Sequence, residues 1–125
     1  MPAFNFKKQF VPAIESGEKR QTIRAPRKCI PVVGQIAHCY TGQRTKPCRL
    51  LGRWPITDVL MVLIHAGGVA FPGSNSVPLM KWQELNTFAE ADGFEDWSAM
   101  REWFRKTHGP VFRGYLVKWA WKAAK

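Results

Sequence analysis

Two helical patterns stand directly before a final strand-like stretch, and this order constrains the fold most strongly. Apolar residues recur at helical spacing in residues 82–89 and again in residues 97–104. In residues 115–121 aromatic or aliphatic side chains occupy every second position, which is typical of a half-buried strand. Further strand-like segments are found earlier in the chain, at residues 4–10, 20–24, 35–40 and 49–64, the last of them interrupted near Pro55.

This order favours an α+β fold, with strands early and late and helices between them. We expect a small mixed β-barrel with short helices, two of them consecutive and placed before the last strand. Pro12 and Gly17 would begin and end one short helix. Residues 66–78, rich in Gly, Pro and Ser, would form a loop. A length of 125 residues suits one domain, so residues 1–125 are assigned to it.

Membrane and secreted classes are disfavoured. The longest apolar run, residues 59–64, has six residues and should be buried on both faces; a helix needs roughly 20 apolar residues to cross a bilayer. The cysteines, Cys29, Cys39 and Cys48, are odd in number and lack the spacing of a disulfide framework, and no apolar leader precedes them. We therefore expect a reduced, cytoplasmic protein with no membrane partner, and a monomer by default.

The charge is concentrated in one half of the chain. Nineteen basic residues against nine acidic ones give a formal net charge of +10. Residues 1–54 hold eleven of the basic residues and two of the acidic ones, a surplus of nine positive charges. Such a field attracts polyanions, of which nucleic-acid backbones are the usual case. A basic surface without a nucleic-acid partner is the alternative interpretation.

Several residues of this half are candidates for nucleic-acid or substrate binding. Basic side chains would contact phosphates without reading sequence. Trp54 lies outside a helical stripe, so we expect it to be exposed and to stack on a base, whereas Trp82, Trp97 and Trp103 should be core residues. The basic candidates are Arg20, Arg24, Arg27, Lys28, Arg44, Lys46 and Arg49.

Residues 17–24 carry the pattern G-x-K-x-x-T-x-R, and three further segments accompany it in order. Gly34 precedes an apolar strand, residues 89–94 contain A-x-x-D-G-F, and residues 114–119 read G-x-x-x-x-W. Together these segments resemble the ASCH domain family, which is related to the PUA RNA-binding fold. The resemblance extends over nearly the whole chain, although Gln35 replaces a common acidic residue and residues 66–80 differ from the shorter members.

The resemblance implies a small PUA-like barrel with a cleft lined by the Lys-Thr-Arg segment. Family members are assigned to RNA binding, to ribonuclease activity and to amidohydrolysis of acetylated cytidine. The amidohydrolase-type members use a lysine, a threonine and a carboxylate, which fall here on Lys19, Thr22 and Asp92, with Glu90 as the alternative acid. The implied partner is RNA or an RNA-derived nucleoside, and no cofactor is expected.

Elementary chemistry leaves two roles open for Lys19 and for Thr22. Neighbouring cations and burial would favour a neutral Lys19 amine that acts as a base. A charged Lys19 would instead hold a phosphate or carbonyl oxygen, and this interpretation is slightly favoured. Thr22 would be a nucleophile if a base removed its proton, or otherwise an ordinary strand residue.

Asp92 falls in the last turn of a predicted helix, where a carboxylate faces the negative end of the helix dipole. We therefore expect compensating cations, for which Lys19 and Arg24 are the candidates. Arg24 suits a phosphate or carboxylate because its guanidinium is a planar fork, although a salt bridge to Glu15 or Glu18 is the alternative.

No metal site is expected, because His38, Cys39 and the other possible ligands lack paired spacing. Two functions therefore remain open. The chain would be a hydrolase that uses Lys19, Thr22 and a carboxylate, or a non-catalytic RNA-binding module that grips phosphates with its basic half.

Overall fold

A computed structural model describes residues 2–26, 30–42, 48–74 and 77–122. These residues form six strands and three helices, together with one 3-10 turn. In chain order they are β1 (Ala3–Phe6), the 3-10 turn (Lys8–Phe10), α1 (Val11–Ser16), β2 (Gln21–Arg24), β3 (Ile36–Thr41), β4 (Arg49–His65), β5 (Gly68–Ala70), α2 (Trp82–Ala91), α3 (Trp97–His108) and β6 (Val111–Trp119).

The strands form one mixed sheet in the order β1-β3-β4-β6-β2, with β5 beside β4. β1 and β3 are parallel, and the other pairs are antiparallel. In the described residues β1 and β2 form the two ends of this path and are not paired, so the sheet is not closed into a barrel. The predicted α+β class is confirmed, as is the placement of two consecutive helices before the last strand.

β4 is longer and more regular than predicted. The interruption expected near Pro55 is wrong, since the strand runs unbroken through 17 residues and Pro55 pairs with Ile36 of β3. Proline lacks an N–H donor, but its carbonyl accepts from the N–H of Ala120 at 2.9 Å. The register shift between Ile56 and Asp58 marks where β4 passes from its pairing with β3 to its pairing with β6.

Two other predictions for this region need correction. Residues 59–64 are not buried on both faces, because Met61 points to solvent from the middle of the run. Residues 66–78 are not wholly a loop either. They contain β5, and Val69 forms a bridge with Leu79 through hydrogen bonds in both directions.

The apolar core consists of two clusters, each packed against a different part of the sheet. One lies between the β4–β6 ladder and the helices α2 and α3, and includes Leu85, Met100 and Phe104. The other joins β1, β3, the first half of β4 and the end of β6, and includes Phe4 and Trp119. Asp96 caps α3 as its sequence position suggests, since its carboxylate accepts from the N–H of Ala99 at 2.8 Å.

The predicted base-stacking role of Trp54 is wrong. Its side chain is only 6% exposed, its ring stacks on Trp119 with centroids 6.3 Å apart, and its Nε1 donates to the carbonyl of Lys122 at 3.0 Å. Trp54 lies on the core side of β4, an orientation set by strand alternation. The core position predicted for Trp82 is also wrong, since this residue is 53% exposed as the first residue of α2.

We expect Trp54→Ala to lower the free energy of unfolding by about 3–5 kcal/mol, since it removes a buried ring and leaves a cavity. Trp82→Ala is the matched control and should change stability by about 0.5 kcal/mol or less. Urea unfolding of both variants measures the difference. Equal losses would contradict the observed burial of Trp54.

Candidate functional site

Lys19 is positioned by the turn that follows α1. Gly17 ends the helix in the left-handed conformation predicted for it, with φ of 85°. The N–H of Lys19 then donates to the carbonyl of Ala13 at 2.9 Å, which folds the chain back over the helix end. The Lys19 side chain therefore enters the interior directly before β2 begins, and it is only 2% exposed.

Asp92 meets Lys19 from the opposite side, at the end of α2. Lys19 Nζ donates to the backbone carbonyl of Asp92 at 2.5 Å and lies 3.2 Å from the carboxylate Oδ1. The rings of Phe6 and Phe10 lie beneath the ammonium, with centroids 5.7 and 5.2 Å from Nζ. Lys19 is thus the compensating cation expected for this helix end. Asp92 is 5% exposed, whereas the alternative acid, Glu90, lies on the surface.

Burial changes the proton affinity of both groups. It lowers the pKa of Lys19, an effect that the neighbouring Asp92 carboxylate partly offsets. It also raises the pKa of Asp92, against the opposing effect of the Lys19 ammonium. The two pKa values are therefore closer together than in water, and moving a proton from Lys19 to Asp92 costs less free energy than it would in solution.

The pair faces a pocket of about 150 Å³ that also contains Thr22 and Arg24 of β2. Thr22 Oγ1 accepts from Arg24 Nε at 3.0 Å, and Arg24 Nη2 donates to the carbonyl of Asn5 at 2.9 Å. Asn5 belongs to β1, so Arg24 links β1 and β2, the two end strands of the sheet, which are not paired with each other. The pocket lies at that gap.

Four predicted site residues, Lys19, Thr22, Arg24 and Asp92, therefore line one pocket. Arg20 does not join them. It precedes β2, donates from Nε to the carbonyl of Gly17 at 2.6 Å, and places its guanidinium over the ring of Trp121.

The other basic candidates lie apart from the pocket or outside the described residues. Arg49 is exposed and pairs with Glu15 at 2.8 Å, so the acid considered as a partner for Arg24 is bound by Arg49 instead. The remaining four, Arg27, Lys28, Arg44 and Lys46, lie outside the described residues.

Sequence reasoning missed several pocket residues. Lys7 lies at the pocket with its Nζ 5.9 Å from the ring centroid of Trp103, and Phe94 packs against that tryptophan with centroids 5.8 Å apart. Phe94 is visible in the sequence as the last residue of A-x-x-D-G-F. The helical spacing of Trp103 fits a buried stripe, and spacing alone does not show that a stripe borders a cavity.

Gly93 allows Asp92, Lys19 and Phe10 to approach one another. Its φ is 93°, and a Cβ built there would lie 2.8 Å from the ring of Phe10 and 3.2 Å from Lys19 Cδ. The position therefore excludes a side chain both by conformation and by space.

Gly93→Ala should destabilise the protein by about 3 kcal/mol, because backbone strain and the collision with Phe10 add together. Gly73→Ala is the matched control, with φ of 77° and no atom within 4 Å of the added Cβ. It should cost about 1 kcal/mol from backbone strain alone. Chemical unfolding compares the two variants, and equal losses would show that the contact with Phe10 is not tight.

In the described residues no three His, Cys, Asp or Glu side chains are grouped as metal ligands would be. Within the same part of the chain, no helix combines the length and apolarity needed to cross a bilayer. Comparison of the chain with models of known families, with characterised proteins and with solved structures gave no significant match.

Proposed function

We propose that this chain is an ASCH-type domain with a PUA-like fold, its barrel left open between β1 and β2, that acts in the cytoplasm on RNA or an RNA-derived nucleoside. Its activity would be hydrolytic, most simply amide hydrolysis of acetylated cytidine, with ribonuclease activity as the related possibility. The observation that carries this proposal is the buried ion pair between Lys19 and Asp92, which faces the same pocket as Thr22. A buried pair of perturbed groups in a cleft is a common mark of an active site.

The size and lining of the pocket support a small planar group as its occupant. A volume of about 150 Å³ is below the range for whole drug-sized ligands, so the pocket would hold a base or an acyl group while the sugar stays outside. Phe6, Phe94 and Trp103 offer aromatic surface for a base. Lys7 and Arg24 lie at the same pocket and would favour a phosphate next to the base.

The three polar groups have complementary roles in amide hydrolysis. Thr22 Oγ1 accepts its hydrogen bond from Arg24, so its own proton remains available for donation. Lys19, after passing a proton to Asp92, would take the proton of Thr22 as Oγ1 attacks the acetyl carbonyl. The C–N bond then breaks, and the cytosine amino group leaves with the proton held by Lys19. Water hydrolyses the acyl-threonine ester and releases acetate, which restores the hydroxyl.

A non-catalytic RNA-binding module is the second candidate, and the charge distribution favours it. Residues 1–54 carry a surplus of nine positive charges, far more than a neutral nucleoside requires. In that case RNA affinity would fall steeply with salt concentration. Replacing Lys28 or Arg44 by an uncharged residue would reduce the slope of log affinity against log salt concentration by about one unit for each phosphate contact that is lost.

The test is incubation of purified protein with acetylcytidine and, separately, with an end-labelled mixed-sequence RNA. We expect release of cytidine and acetate in equal amounts, measured by liquid chromatography. RNA cleavage without deacetylation would support hydrolase activity but show that the substrate is RNA and not acetylcytidine. If both substrates stay intact while RNA binds in a salt-dependent way, the catalytic proposal is wrong and the binding module remains.

A further inference from the structure

A second, larger cavity of about 310 Å³ lies where the end of α3 meets the turn between β4 and β5. Among the residues that the structure describes, it shares only Phe104 with the pocket of Lys19 and Asp92. Buried side chains of Ile64 and Phe104 form its apolar part, together with Pro110. Its volume is within the range of cavities that hold small organic ligands.

The charges around this cavity are not balanced. Arg105 donates to both carboxylate oxygens of Glu102, and Lys106 approaches the same carboxylate at 3.8 Å. Glu102 is therefore already bound by two cations. Arg101, one helical turn before Arg105, is half-buried at the cavity. The pKa of Glu102 is lowered chiefly by the hydrogen bond from Arg105, and the charge of Arg101 contributes to the lowering, but Arg101 makes no hydrogen bond or salt bridge with any residue that the structure describes. One guanidinium thus remains for an anion.

His65 supplies a second donor. Its Nδ1 accepts from the N–H of Gly67 at 3.0 Å, so the neutral ring carries its proton on Nε2. His65 also lines the cavity, and the short turn at Gly67 holds its ring in place. The cavity therefore combines an apolar interior with two polar donors, the arrangement typical of a site that orients a mostly apolar ligand.

We propose that this cavity binds a small organic carboxylate with a flat, apolar body. The carboxylate would pair with Arg101 and accept from His65 Nε2, while the body packs against Phe104, Ile64 and Pro110. The charged residues that line the cavity, Arg101 and Arg105 against Glu102, carry a net charge of +1, which matches one carboxylate. A phosphate monoester, with a charge near −2, would leave a negative charge unmatched against mostly apolar walls. This site is separate from the pocket of the proposed hydrolase and does not depend on that function.

The test is isothermal titration calorimetry of the full chain with 2-naphthoate, with 2-naphthamide as the uncharged analogue and inorganic phosphate as the simple anion. We expect saturable 2-naphthoate binding that weakens about 10- to 100-fold in Arg101→Met, as for removal of one charge-assisted hydrogen bond. Arg113→Met is the matched control, because Arg113 is exposed on β6 and does not line the cavity. That variant should bind like the wild type, and 2-naphthamide should bind as weakly as 2-naphthoate binds to Arg101→Met.

Four results would overturn the proposal. They are no saturable binding of 2-naphthoate, equal binding of 2-naphthamide, an unchanged affinity in Arg101→Met, or phosphate binding as tight as that of 2-naphthoate. The third result would place the ligand elsewhere, for example in the pocket of Lys19. Thermal unfolding of Arg101→Met, whose side chain is only half-buried, should match that of Arg113→Met and so separates an effect on binding from an effect on folding.

Discussion

Replacing Lys19 by Met is expected to lower the free energy of unfolding at pH 7 by up to about 4 kcal/mol. The substitution keeps the aliphatic stem but leaves the Asp92 carboxylate buried without its cation. The protein would respond by protonating Asp92. For a carboxyl whose ordinary pKa is 3.8, protonation at pH 7 costs about 4 kcal/mol, and this sets the ceiling on the loss.

The loss of stability in Lys19→Met should decrease as the pH falls. Burial raises the folded-state pKa of Asp92 above its unfolded value, so the folded protein binds a proton that the unfolded chain releases. The associated stability is fully present below pH 3.8 and is lost as pH rises through the folded pKa. At pH 5 the cost of protonation falls to about 1.6 kcal/mol. The variant should therefore be much less destabilised in mild acid than at neutral pH.

The reference for this measurement is the double variant Lys19→Met with Asp92→Asn, which lacks both titrating groups. Urea unfolding at pH 5 and pH 7 would give a stability difference between single and double variants that shrinks as the pH falls. Other acid effects cancel in this comparison because both proteins share them. A difference that does not change between the two pH values would contradict a buried Asp92 that takes up a proton when its cation is removed.

Replacing Thr22 by Val is expected to reduce acetylcytidine turnover by at least about a thousandfold, because the nucleophilic oxygen is lost while the side-chain shape is kept. Stability should fall by only about 1 kcal/mol, since one hydrogen bond, from Arg24, is removed.

Thr41→Val is the matched control. Thr41 is also buried in a strand, and its hydroxyl donates to the carbonyl of Phe6 at 2.9 Å, but it does not line the pocket. We expect a similar small loss of stability with turnover retained. If Thr22→Val keeps more than a tenth of wild-type turnover, Thr22 is not the nucleophile. If Thr41→Val loses as much as Thr22→Val, the effect is structural.

Local chemistry in the sequence was enough to predict the elements around the site. Gly17 ends α1, Asp96 caps α3, and the two helices lie where the helical spacing predicted them, although Trp82 at the start of α2 is exposed. The position of Asp92 at a helix end predicted a nearby cation, and Lys19 is that cation. These predictions succeeded because each depends on interactions within a few residues or on one simple electrostatic rule.

The errors arose where distant parts of the chain decide the outcome. Trp54 is buried because β4 continues through Pro55 and presents it to Trp119, and neither fact is visible from its neighbours in sequence. Arg20 lies outside the pocket because β2 begins one residue after it. The direction of the Arg20 side chain is therefore determined by the turn at Gly17 and not by strand alternation. The gap between β1 and β2 likewise depends on the curvature of the whole sheet.

The most direct test of the site is an NMR titration with acetylcytidine that follows two tryptophan indole N–H signals. Trp103 lines the pocket of Lys19 and Asp92, whereas Trp82 is exposed at the start of α2 and does not. We predict a saturable shift of the Trp103 signal, with the Trp82 signal unchanged. An unmoved Trp103 signal at saturating ligand, or equal shifts of the Trp103 and Trp82 signals, would contradict binding of the nucleoside in this pocket.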